Sequence, residues 1–305
     1  MKKRYFIAIL VILSCFLIPS VLAEQEEIPV SVYLLGISNY DAATGSYDLD
    51  FFIQFDCETE CTADDFWAIN GKHADVIERK DEYNKTYYRV RGTMIDKVEL
   101  QDFPLDTQTI KLVVEHARFP LEKVKLVPNL AKSGIDNRIF FPGWKIAGWT
   151  AYNTEHFYTT YDQFFSTYVF EVRLTRHLDA AISFFLPIFF IIFIILFTFL
   201  LGINKLELRL GIVSSALIAA IMYQLAISAK LPPAVGYLLL ADKVMLLTYF
   251  ILLVSFILNI YMLKLVQVKK VKTAQKWFNL TKYNMIIISI SLYILLFVLF
   301  YFKLM

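Results

Sequence analysis

Four histidines, His73, His116, His156 and His177, are the side chains best suited to moving protons near neutral pH. None forms an H-E-x-x-H pair, and the chain contains no G-x-S-x-G elbow, P-loop or G-x-G-x-x-G turn. Cys57 and Cys61 stand in a Cys-x-x-x-Cys spacing that would close a small loop. A local disulfide suits that spacing in an oxidising compartment, with free thiols or a metal pair as alternatives; no second Cys or His pair completes a zinc site. The acidic run Asp56, Glu58, Glu60, Asp64 and Asp65 offers oxygens for a hard divalent ion but lacks EF-hand spacing, and a solvated acidic loop is the favoured account of it. The metal question stays open, no cofactor is expected, and the residues point away from an enzyme.

A different chemistry is written between residues 206 and 229. Projected at about 100° per residue, Glu207, Gly211, Ser214, Ser215, Ile218, Ile221, Met222 and Leu225 fall within roughly 80° of one line. Arg209 lies about 200° from Glu207 and stands off that stripe. A carboxylate at a helix end attracts cations, hydroxyls replace lost hydration, and a large apolar ring can close a narrow passage by dewetting. The same Gly and Ser residues would also let helices pack closely, so the stripe alone leaves both readings standing.

The elements that must hold this stripe are membrane helices. Hydrophobic residues make up 57% of the 305-residue chain, above the usual share for soluble proteins. Ala180–Asn204, Leu210–Ala229, Val244–Leu263 and Tyr283–Phe302 carry no charge. Each reaches the ~20 residues needed to cross a bilayer core, where backbone polar groups must pair internally as helix. The expected spans are about 180–203, 206–229, 235–263 and 282–303 within a domain at 179–305. Six lysines and no acid between Lys264 and Lys282 predict that this stretch faces the cytoplasm. The start agrees: Lys2, Lys3 and Arg4, an apolar run from Tyr5 to Ile18, Pro19 and Val21-Leu22-Ala23 read as a signal peptide at 1–23. Residues 24–178 are then exported.

That exported region reads as a β-sandwich. Val30–Ser38 and Tyr47–Phe55 flank the turn Asp41–Gly45, and Tyr87–Thr93, Thr109–Val114, Trp144–Thr150 and Thr167–Leu174 repeat the β-branched and aromatic pattern. From Glu24 to Leu178 the chain has 16 Lys and Arg against 25 Asp and Glu, a net −9. An acidic domain argues against nucleic acid as a partner and would concentrate cations. The strand region meets the first span with no flexible linker, which suits mechanical coupling.

Phe103-Pro104-Leu105-Asp106, Pro187 early in the first span, and the Lys230-Leu231-Pro232-Pro233 turn after the striped helix occur in an order that resembles the pentameric ligand-gated ion channels, the Cys-loop receptor superfamily, and particularly their prokaryotic members. The resemblance covers nearly the whole mature chain. It implies an all-β immunoglobulin-like extracellular sandwich, then an all-α four-helix transmembrane bundle, in a homopentamer around a central pore. The family's loop-closing cysteines would fall at Asp96 and Ile110, and Gln54-Phe55-Asp56-Cys57 replaces its W-x-D-x-R stretch.

The expectation is a cation-selective ligand-gated channel, a multi-pass protein of the bacterial inner membrane with its N-terminal domain outside. Its partners would be four identical subunits, lipid, permeant monovalent cations and an unknown small-molecule or proton agonist. Glu207 and Gly211 form the expected selectivity filter, and Ser214, Ser215, Ile218, Met222 and Leu225 the pore lining and gate. Phe103, Pro104, Asp106, Arg176 and Pro232 would couple the domains. Trp67, Tyr152, Phe157, Tyr158 and Tyr161 are a candidate agonist site, because aromatics can cage a cation or an aromatic ligand; hairpin packing explains them equally. Two rivals stand beside the channel. One is a non-conducting membrane sensor. The other is a four-helix enzyme or transporter, which would want ionisable residues at mid-membrane.

Overall fold

The computed structural model describes residues 25–57, 65–232 and 236–302. The expected signal peptide at 1–23, together with Glu58, Glu60, Cys61, Asp64 and Pro233, lies outside the described residues. Ten strands come first: β1 (Glu26–Asp41), β2 (Ser46–Asp56), β3 (Phe66–Ala68), β4 (Gly71–Glu82), β5 (Lys85–Ile95), β6 (Thr107–His116), β7 (Val124–Pro128), β8 (Gly134–Ile135), β9 (Trp144–Tyr158) and β10 (Gln163–Arg176). They form a six-stranded sheet ordered β4-β5-β2-β1-β7, with β8 added on β1, and a four-stranded sheet ordered β3-β6-β10-β9.

Side-chain alternation builds the sandwich, because successive residues of a strand point to opposite faces. Leu49, Phe51, Ile53 and Phe55 of β2 are buried, as are Ile110, Leu112 and Val114 of β6 and Tyr168, Phe170, Val172 and Leu174 of β10. Phe55 of one sheet stacks on Phe66 of the other with ring centroids 3.6 Å apart. Cys57 is disulfide-bonded. Asp56 pairs with Lys132 at 3.2 Å and Asp65 with Arg118 at 3.7 Å, so the described ends of the acidic run are charge-compensated.

The turn between β1 and β2 depends on one glycine. Gly45 has φ of +71°, and a Cβ there would sit 2.2 Å from the backbone oxygen of Asp96. Gly45→Ala is therefore expected to destabilise the sandwich by more than the about 1–2 kcal/mol that left-handed backbone alone costs. Thermal unfolding followed by near-UV circular dichroism in detergent checks this; an unchanged melting temperature would refute it.

Four helices follow: α1 (Leu178–Thr198), α2 (Leu206–Ser228), α3 (Leu240–Gln267) and α4 (Val271–Tyr301). All four are long and apolar enough to cross a membrane. α1 continues through Pro187. Several boundaries differ from the sequence expectation: α1 ends at Thr198 rather than near 203, α3 runs from Leu240 to Gln267 rather than from about 235 to 263, and α4 starts at Val271 rather than near 282. The lysine-rich stretch is helical apart from the turn at 268–270, where Lys269 has φ of +57°. Hydropathy marks where a helix meets lipid, whereas Lys, Ala and Gln extend it readily beyond that level. Only His177 separates β10 from α1.

Candidate functional site

The two faces of α2 differ sharply. Towards its own bundle it buries Arg209, Val213, Ala216, Ala220 and Ile227, at three-, four- and seven-residue steps along one side. The stripe points the other way. Glu207, Gly211, Ser215 and Ile221 are exposed, Ser214 is half-buried, and Ile218, Met222 and Leu225 are 64%, 61% and 59% exposed. A Cβ added at Gly211 would meet nothing within 4 Å. Close packing inside the subunit thus falls to Ala216 and Ala220, while Gly211 and the hydroxyls stay open. Arg209 is fully buried on the opposite side, its guanidinium 4.8 Å from the Phe199 ring and 5.8 Å from that of Phe278. The open face therefore carries a carboxylate and no cation.

The second constellation joins the domains. Arg176 Nε donates to Asp106 Oδ1 at 2.7 Å and its Nη2 to Oδ2 at 3.2 Å, a bidentate pair. Gln108 Nε2 also donates to Asp106 Oδ2, at 2.6 Å. Asp106 is 2% exposed and the Arg176 side chain 18%. The guanidinium is sandwiched by aromatics, 4.2 Å from the Trp144 ring and 5.1 Å from that of Phe103. Strand alternation exposes Arg173, the other arginine near this end, on the opposite face of β10.

The loop carrying Phe103 and Pro104 grips the helices. Phe103 meets Phe184 of α1 edge-on at 4.9 Å, and packs with Ile227 of α2, Leu231, Leu239 and Ala241 in one apolar cluster; Pro232, next in the chain after Leu231, is half-buried. The carbonyls of Gln101 and Phe103 accept the backbone N–H groups of Leu240 and Ala241 at 3.0 and 3.1 Å. These are first-turn donors of α3 with no partner inside their own helix. Asp242 Oδ2 accepts the N–H of Leu239 at 3.1 Å, placing a carboxylate at the same positive helix end. The capping of α3 by the β domain has no signature in residue spacing.

The expected agonist residues do not form one cluster. Regular pairing of β9 with β10 sets Tyr152 and Tyr158 on the outer face, and Phe157 with Phe164 on the other, their rings 4.8 Å apart. Tyr161, in the hairpin turn, lies 6.1 Å from the Tyr158 ring. Trp67 sits across from Glu115 in the β3–β6 pair and is 57% exposed. Glu115 itself, unmarked by any motif, is 1% exposed and accepts from Tyr158 Oη at 2.8 Å and Thr167 Oγ1 at 3.3 Å. Burial and this carboxylate push the Tyr158 hydroxyl up to about 12. The only cue in the sequence is an acid inside the apolar run Leu112-Val113-Val114 before His116.

No family model matches the chain. A curated relative, the proton-gated ion channel of Gloeobacter violaceus, is 25% identical over 167 residues, which is 53% of this chain and 46% of the relative. The match thus spans about half the length of each protein, and the relative is a channel, not an enzyme. With a β-sandwich followed by four apolar helices, this multi-pass membrane protein resembles the pentameric ligand-gated ion channels in fold as well as in motifs.

Proposed function

We propose that the chain is one subunit of a homopentameric, cation-selective channel in the bacterial inner membrane, opened by a stimulus on an exported β-sandwich. In this reading the sandwich lies outside, the lysine-rich α3–α4 turn lies in the cytoplasm, and the open faces of five α2 helices line the pore. The observation that carries it is the outward stripe from Glu207 to Leu225, with Arg209 turned away and buried. Five copies of Glu207 would gather carboxylates at the inner mouth, and rings of Ile218, Met222 and Leu225 would form an apolar girdle. Asp106 and Arg176 would transmit movement of the sandwich to α1, and the Phe103 loop would transmit it to α3. The relative's function makes a proton one candidate stimulus. The aromatics around the β9–β10 hairpin keep a small molecule as the other.

Reconstitution in a planar bilayer tests the reading by discrete conductance steps under a sodium gradient, with pH and small amines as stimuli. Glu207→Gln is expected to move the reversal potential towards zero, because the stripe then loses its charge. A silent protein across all stimuli would overturn the channel assignment, and an unchanged cation preference in the variant would overturn the role of Glu207.

A further inference from the structure

The 1%-exposed carboxylate of Glu115 has three polar neighbours, and two of them are satisfied hydroxyl donors. The third is His156 on β9. Its Nδ1 stands 3.5 Å from Glu115 Oε1 and is itself buried with no hydrogen-bond partner. The rest of the ring reaches solvent, since the side chain is 43% exposed. A burial-desolvated carboxylate therefore faces an imidazole nitrogen at a distance slightly too long for a good N–H···O bond.

We propose that Glu115 and His156 form a proton-binding latch: uptake of a proton by the His156 imidazole converts their 3.5 Å approach into a charge-assisted hydrogen bond that draws the β9–β10 hairpin onto β6. A neutral imidazole carries one N–H and presents either a donor or a lone pair to Glu115. The imidazolium carries both, so Nδ1–H must then donate to Oε1. The proton enters from bulk water at the open ring edge, and the positive charge meets a carboxylate screened from solvent, where attraction is stronger than at the surface.

The surrounding groups leave this pair free to act. From β3 the facing residue is Trp67, and from β10 Thr167. Farther along the same outer face, Glu171 of β10 accepts from Tyr152 Oη at 3.1 Å, and Lys111 of β6 pairs with Asp96 at 3.9 Å. Asp65 and Arg118, beyond the ends of β3 and β6, pair with each other at 3.7 Å. Among the described residues no Lys or Arg lies within ion-pair distance of Glu115, so His156 is its one cationic counterpart. The neighbouring His116 is no competitor. Its Nδ1 accepts the backbone N–H groups of Arg118 and Phe119 at 3.2 and 3.1 Å, and burial holds its pKa below the usual range. His73 pairs with Asp75 on a fully exposed strand, where little is gained.

A hairpin drawn towards β6 pulls on β10, which ends at Arg176, the partner of Asp106. The effect on opening rests on the channel reading; the proton site does not. The test uses the full chain in liposomes, with hydrogen–deuterium exchange of the 153–167 segment measured between about pH 8 and about pH 4 and corrected for intrinsic rates. Acidification is expected to raise protection of that segment by roughly tenfold. Glu115→Gln, which keeps one acceptor oxygen and puts an NH2 donor in place of the other, and His156→Gln should each abolish the rise. Unchanged protection in the wild type, or an equal rise in both variants, would overturn the latch. Bilayer currents separate the two readings. Acid-dependent protection in a protein that never conducts sustains the latch and removes the channel, whereas currents without the protection change do the reverse.

Discussion

Arg176→Gln will weaken the union of the two domains more than Asp106→Asn, and the double variant will be little worse than Arg176→Gln alone. Removing one partner of a buried ion pair typically costs about 3–5 kcal/mol, chiefly through the charge left behind. The two charges are not equally stranded. Asp106 is 2% exposed and would keep only Gln108 as a side-chain donor, whereas the Arg176 side chain is 18% exposed and keeps its aromatic sandwich of Trp144 and Phe103. A double-mutant cycle, read both on thermal unfolding and on the stimulus needed for half-maximal current, measures the coupling. Purely additive effects in both readouts would show that the pair does no work at the joint.

If five α2 helices line a pore as proposed, Ile218→Ser will leave the subunit folded and the channel leaky. Ile218 is 64% exposed and outside the buried core of its own bundle, so the substitution should change subunit stability by only about 0.5 kcal/mol. Its effect would arise where, in the proposed pentamer, five copies face one another. A ring of branched apolar side chains in a narrow passage excludes water, and five hydroxyls in the same ring readmit it. Single-channel recording without stimulus should show openings in Ile218→Ser that the wild type lacks. A variant that gates like the wild type would move the closure to Met222 or Leu225.

Much of the fold is legible in sequence because its signals are one-dimensional. Charge-free runs report the helices, and the β-branched and aromatic runs report β1, β2, β5, β6, β9 and β10. β4 is invisible to such reasoning: Gly71–Glu82 is exposed along its whole length, so no face of it needs apolar residues. The early start of α4 is hidden for the opposite reason, since lysines suit a helix that has left the lipid. The α2 stripe is readable because helical geometry is local. The Trp144 platform under Arg176, the carbonyl caps on α3 and the burial of Glu115 come from contacts between residues far apart in the chain. Strand register and loop placement create those contacts, and neither is written in local spacing.

The caps on α3 bear on how the protein is made. Leu240 and Ala241 give their N–H groups to the carbonyls of Gln101 and Phe103, which leave the ribosome well over a hundred residues earlier. The third helix can cross the membrane on hydropathy alone, but its leading turn is finished only when a domain already synthesised has folded beside it. The seating of α3 is therefore expected to follow the folding of the sandwich. A bundle expressed without residues 25–176 would insert and still lack the template for that turn, so its third helix should fray at Leu240 and assemble poorly.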